Sequence, residues 1–177
     1  MLKSFRNKLT VSYLLVILIL MLVTGGISYS GFKSYYLQNL EERLTREAHL
    51  VADTMRYMQP DSDEEYNTLC NNTARDSAMR VTIIDMDGKV LGDSDSDINQ
   101  MENHKSRPEV YQALHGQTGV ALRYSNTKKI NMLYVAVPFS YQNHNGVVRL
   151  AMPLSELAAI NQKIMMIMLL ALLVSAL

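Results

Sequence analysis

Residues 101–110, MENHKSRPEV, gather the most chemically suggestive side chains of this chain. His104, Lys105 and Arg107 stand close together just ahead of Pro108. Proline suits the first turn of a helix, where its missing N–H would have had no helical partner. Basic side chains beside the free N–H groups of a starting helix suit an anion. Arg123 and Tyr134 lie in alternating apolar stretches, and on strands they could face the same space. The set His104, Lys105, Arg107, Arg123 and Tyr134 is therefore a candidate ligand-binding site for a small anion. A plainer arrangement also fits, with Arg107 paired to Glu109 to hold the loop and Asn103 capping a turn. It needs no ligand and is the more economical of the two, and both are carried forward.

Other motifs point to no chemistry. Asp93, Asp95 and Asp97 are spaced like the first three ligands of a calcium loop. Such a loop needs Gly at its sixth position and Glu at its twelfth, and these are Ile98 and His104. The segment reads as a solvated acidic loop, with weak divalent-cation binding left open. His49, His104, His115 and His144 share no metal-ligand spacing, and Cys70 is alone, so neither a metal site nor a disulfide framework is expected. The run Asp85-Met86-Asp87-Gly88 resembles the nucleophile loop of haloacid-dehalogenase-type phosphatases, and Gly92-Asp93 with Asp97 imitates their metal motif. In those enzymes the aspartates end different parallel strands. Here the two sets are nearly adjacent and Lys89 replaces the expected Thr. An Asp-Gly pair between apolar stretches is a hairpin turn instead. No serine, cysteine or histidine arrangement offers a nucleophile, no glycine-rich loop cradles a phosphate, and no catalytic residue is proposed. His49 precedes Leu50, whereas the phospho-acceptor histidine of sensor kinases precedes an acid.

The elements that must position these residues begin with residues 9–32, which carry no charge and lie between Lys8 and Lys33. As a helix this stretch crosses a hydrocarbon core of ~30 Å with some tilt. A second apolar run, residues 164–177, is too short for a relaxed span and reads as the start of another, truncated. The layout expected is a cytoplasmic N-terminus at 1–8, a transmembrane helix at 9–32, one extracytoplasmic domain at 33–163, and a second span from 164. Lys3, Arg6 and Lys8 precede the first span, and all 17 acidic residues fall in the middle segment. That asymmetry puts the N-terminus inside and the domain outside. A signal peptide is the competing reading, but the apolar run is long and Thr24-Gly25-Gly26 is a weak cleavage site, so an uncleaved anchor is preferred. No basic stripe interleaved with aromatics favours nucleic acid.

Beyond the span, Leu37, Leu40, Leu44, Ala48, Val51, Met55 and Met58 recur at steps of three and four, the stripe of an amphipathic helix over 33–58. The stripe packs on its own domain, and part of it could also pair with a second copy as a short coiled coil. Ser62 to Glu65 reads as a capping box for a second helix with Tyr66, Leu69 and Thr73 or Ala74 inward. Strands follow at 79–85 and 90–91, then a polar loop at 92–106 and a short helix from Pro108 that Gly116 ends. Further strands lie at 119–125, 132–140 and 146–152, with turns at 126–129 and 142–146. Ser155 caps a helix that runs into the second span. The fold class expected is α+β, a five-stranded antiparallel sheet with a long N-terminal helix, the PAS-like architecture also called a single Cache domain.

The segments RVTIIDMDGKVLGDSD, MENHKSRPEV, QALHGQTGVALRYSNT, MLYVAVPF and GVVRLAMPL, in that order, resemble the extracytoplasmic half of phosphate-regulon type sensor histidine kinases. The resemblance covers residues 80–154. It implies a membrane-bound homodimer, phosphotransfer to a response regulator, and an autokinase core using ATP and Mg that this fragment lacks, so no kinase activity or cofactor belongs to the fragment itself. A chemoreceptor, a cyclic-dinucleotide enzyme or a docking domain for a membrane transporter partner could carry the same outer domain.

Overall fold

A computed structural model describes residues 2–125, 128–142 and 144–175. The chain divides into two compact units, Met1–Leu37 with Ser155–Leu177, and Gln38–Leu154. Asn126 and Thr127 of one expected turn, Asn143 of the other, and the last two residues of the second apolar run lie outside the described residues.

Helix α1 runs unbroken over Leu2–Met58. Among the described residues its first half supplies the one helix long and apolar enough to cross a membrane. Helix α4, Ser155–Ser175, has a shorter apolar core at Ala159–Leu170. Within this unit the two helices touch. Leu18, Met21 and Leu22 of α1 line a small apolar cleft with Met165, Met168 and Leu169 of α4.

The other unit is built on five antiparallel strands: β1 Arg80–Asp85, β2 Val90–Asp93, β3 Gly119–Ser125, β4 Ile130–Tyr141 and β5 His144–Pro153. They lie in the order β2-β1-β5-β4-β3, which puts β5 at the centre. The second half of α1 buries Leu40, Leu44, Ala48, Val51 and Met55, so the expected stripe is taken up by the domain's own core. Its last member does not join: Met58 is 58% exposed, because α1 ends there and Gln59 takes a positive φ of 48°. Helix α2, Asp63–Ala74, is capped by Ser62, whose side chain accepts from the Glu65 N–H. It buries Tyr66, Leu69 and Cys70, whereas Thr73 and Ala74, expected inward, are only half-buried. Tyr66 packs its backbone against Gly92, and its hydroxyl meets that of Tyr141, which bonds the Pro60 carbonyl. These contacts place α2 over one face of the sheet.

The opposite face carries helix α3, Pro108–Leu114. Val110 and Ala113 of α3 pack with Ile84, Val90, Ala136 and Val147. Register puts Thr82 beside both Asp93 and Arg149, and Arg149 beside Ala136, so these side chains share the α3 face. Several strand ends differ from the expected ones, two of them by enough to matter for the sheet. Strand β2 continues through Gly92 and Asp93 past a bulge opposite Ile83/Ile84, and the β4–β5 ladder runs out to Tyr141↔His144, which takes His144 and Asn145 into strand.

Candidate functional site

The α3 face of the sheet does not close flat. Between it and the segment that joins β2 to α3 lies a cavity of about 400 Å³, lined among others by Arg80, His104, Arg107, Arg123, Tyr134 and Arg149. Strands supply Arg80, Arg123, Tyr134 and Arg149, and the connecting segment supplies His104 and Arg107. Sites of this volume suit small molecules.

The floor is a network of buried charges. Glu109, on the first turn of α3, is wholly buried. Its Oε1 accepts from Arg123 Nη2 at 2.9 Å and lies 3.6 Å from Arg149 Nη1. Arg149 Nη2 donates to the Thr82 hydroxyl at 3.1 Å, and that hydroxyl donates to Asp93 Oδ2 at 2.7 Å. Arg80 Nε meets both Asp93 oxygens, at 3.1 and 3.0 Å. Asp93 also accepts from the backbone N–H groups of Asp95 and Ser96. Buried charge survives only when it is paired and hydrogen-bonded. Burial pushes the Arg149 guanidinium down to about 10, with Glu109 opposing the shift, so it stays cationic at neutral pH. The Tyr134 ring lies 3.8 Å from the Arg123 guanidinium carbon and 5.4 Å from that of Arg149, cation–π distances that add to the hold on both. Three buried atoms of the network lack a partner: Glu109 Oε2, Arg123 Nε and Arg149 Nε.

The wall of the cavity is fixed by the β1–β2 hairpin. Asp85 Oδ1 accepts from the N–H groups of Asp87 and Lys89, both at 2.8 Å. Gly88 takes φ +85°, and a Cβ there would collide with the Asn103 side chain and the Lys105 backbone. The Gly88 carbonyl accepts from the His104 N–H at 2.8 Å. Asn103 bridges the Asp87 carbonyl and the Lys105 N–H. The Asp-Met-Asp-Gly run thus anchors the segment that carries His104. His104 Nδ1 lies 2.7 Å from the Glu102 carbonyl. A carbonyl only accepts, so Nδ1 carries the proton. Burial first, then Arg149, pushes this imidazole down to about 4. The ring is neutral at neutral pH and offers hydrogen bonding, not charge.

Of the five residues singled out in the sequence, the cavity brings together His104, Arg107, Arg123 and Tyr134. Lys105 stands apart, its Nζ 3.6 Å from Asp87 on the hairpin turn. The plainer pairing expected of Arg107 also changes partner. Arg107 lies 3.7 Å from Glu102, while Glu109 turns inward to Arg123 and Arg149. Asn103 does cap a turn. Asp93 is no member of a solvated loop, being 4% exposed, because β2 carries it onto the sheet beside Thr82. Arg80 and Arg149 escaped sequence reasoning, which gave Glu109 and Asp93 other roles, a pairing with Arg107 and a place in a solvated loop. One signal was present, an arginine inside the apolar run Val147 to Ala151, since a charge in a buried strand demands a partner. Among the described residues no group of three or more His, Cys, Asp or Glu could hold a metal ion.

The family described as Single Cache-like matches residues 34–153. No curated protein matches the chain. Among solved structures, the sensor domain of E. coli DcuS is similar at 17% identity and TM-score 0.57, covering 70% of this chain and 95% of its own. The ligand-binding domain of the Pseudomonas aeruginosa amino-acid chemoreceptor PctC, in complex with GABA, is similar at 16% identity and TM-score 0.58, covering 70% and 62%. The V. cholerae histidine kinase DctB sensor domain is similar at 17% identity and TM-score 0.56, covering 76% and 55%.

Proposed function

Since this chain belongs to the single Cache-like family, we propose that it is the sensing region of a membrane-anchored two-component histidine kinase, whose outer domain binds a small anion. The observation that carries the proposal is the cavity, with Arg149 and Arg123 held charged on its floor. An apolar helix long enough to cross a membrane leads into this domain, and basic residues precede it, which supports an extracytoplasmic location. The resemblance of residues 80–154 to phosphate-regulon type kinases supports the kinase output, and with it a homodimer and a response regulator. A chemoreceptor output is the second reading, favoured by the likeness to PctC.

Thermal unfolding of the full chain in lipid nanodiscs tests the site. Inorganic phosphate and a panel of short-chain carboxylates are the probes. At least one is expected to raise Tm, and Arg149→Met is expected to abolish that rise. No shift with any anion removes the proposal. The output is tested by splicing residues 1–177 ahead of a histidine-kinase core. Autophosphorylation that ignores an anion shown to bind would leave a sensor without this relay.

A further inference from the structure

The charges around the cavity cancel in sum but not place by place: Arg80, Arg107, Arg123 and Arg149 face Asp93, Asp97, Glu102 and Glu109, and of these acids Asp97 and Glu102 stand exposed at the rim. Arg80 is matched by Asp93, which takes its Nε on both oxygens. Arg107 is matched at the rim by Glu102, 3.7 Å away. Arg123 and Arg149, however, share the single carboxylate of Glu109, and both approach the same oxygen. The Arg149 side chain is 2% exposed and that of Glu109 is not exposed at all, so water screens the imbalance little. His104 adds no charge, since its Nδ1 proton serves the Glu102 carbonyl. The floor therefore holds one uncompensated positive charge.

We infer that the site selects ligands with one negative charge over ligands of the same length with two, and that Glu109 sets this preference. The inference rests on the reading of the cavity as an anion site. A single carboxylate neutralises the floor. A second carboxylate meets only arginines already matched, Arg80 by Asp93 and Arg107 by Glu102, and the exposed Asp97 and Glu102 that line the same cavity repel it. Without the Glu109 charge the floor would hold two surplus positive charges, and the preference would turn over.

Calorimetric titration of the full chain in nanodiscs at pH 7 and fixed ionic strength, with pentanoate and glutarate, tests this. Pentanoate is expected to bind about tenfold more tightly, a difference of ~1.4 kcal/mol. Glu109→Gln is expected to reverse the order. Arg107→Glu, on the half-buried rim, is expected to widen the wild-type preference and decides the matter if Glu109→Gln does not fold. Glutarate binding as tightly as pentanoate to the wild type overturns the inference, as does a folded Glu109→Gln that keeps the wild-type order. If those results come with binding that Arg149→Met removes, the anion site itself stands. If neither acid binds, or Arg149→Met leaves both unaffected, the site reading falls as well.

Discussion

His104 ties the cavity to pH. Its imidazole titrates at about 4 in the folded domain against an ordinary 6.5, because burial and the guanidiniums of Arg149, Arg107 and Arg80 oppose a further positive charge. Between those two values the unfolded chain binds more protons than the folded one. The stabilisation is therefore complete above pH 6.5 and is lost as pH falls toward 4, by about 3 kcal/mol in all. Below pH 4 this residue contributes no further loss. Carboxylates titrate in the same range, so the comparison that isolates His104 is with His104→Gln. Denaturant unfolding at pH 7 and pH 4 is expected to show a smaller acid-induced drop for the variant, by about that same amount. Equal drops in the two proteins would show that the ring is not held neutral by its surroundings.

At the scale of elements, the β1–β2 turn and the segment after β2 form one device. The turn offers the Asp87 and Gly88 carbonyls, and Asn103 and the His104 N–H take them up. Gly88→Ala meets both a left-handed φ and the side chain of Asn103, and is expected to lower stability by about 1–3 kcal/mol. Anion affinity is expected to fall further than in Asn103→Ala, which loses the bridge but leaves the turn intact. Titration of the two variants side by side checks this. Much of this architecture was legible in the residues. Alternation marked the strands, Asp87-Gly88 the turn, and Pro108 with Gly116 the limits of α3. The floor of the cavity was not, for a physical reason. Asp93 sits in an acidic run whose composition favours water, and only sheet register brings Thr82 and Arg80 to it. Arg149 and Glu109 are far apart in sequence and meet because α3 lies across β5. Lys105 misled by proximity, since its neighbours His104 and Arg107 line the cavity while the turn directs it to Asp87.

For the whole molecule, the proposed function raises the question of how an occupied cavity would be felt in a membrane. Bound ligand acts only by favouring one packing of the chain over another, and a coupling of ~1–3 kcal/mol gives a useful response. Two connections leave the sensor unit: α1, which is continuous through Leu37, and β5, which passes into α4. Single cysteines along residues 37–58 and 155–163, cross-linked to a second copy with and without anion, are expected to give different patterns in the two states. The native Cys70 does not compete, because it is fully buried and burial pushes its thiol up to about 12. Within the helical unit Met168 of α4 lies against the bare backbone of Gly25 in α1, the contact through which the proposed relay would pass. A methyl group at Gly25 is accommodated by swinging the flexible Met168 side chain, so Gly25→Ala is expected to signal normally in the kinase fusion. Gly25→Leu fills the space and forces the helices apart. It is expected to lock the output at one level while calorimetric anion affinity stays within about twofold of the wild type. A leucine variant that still responds fully to anion would show that the signal does not travel through the packing of α1 on α4.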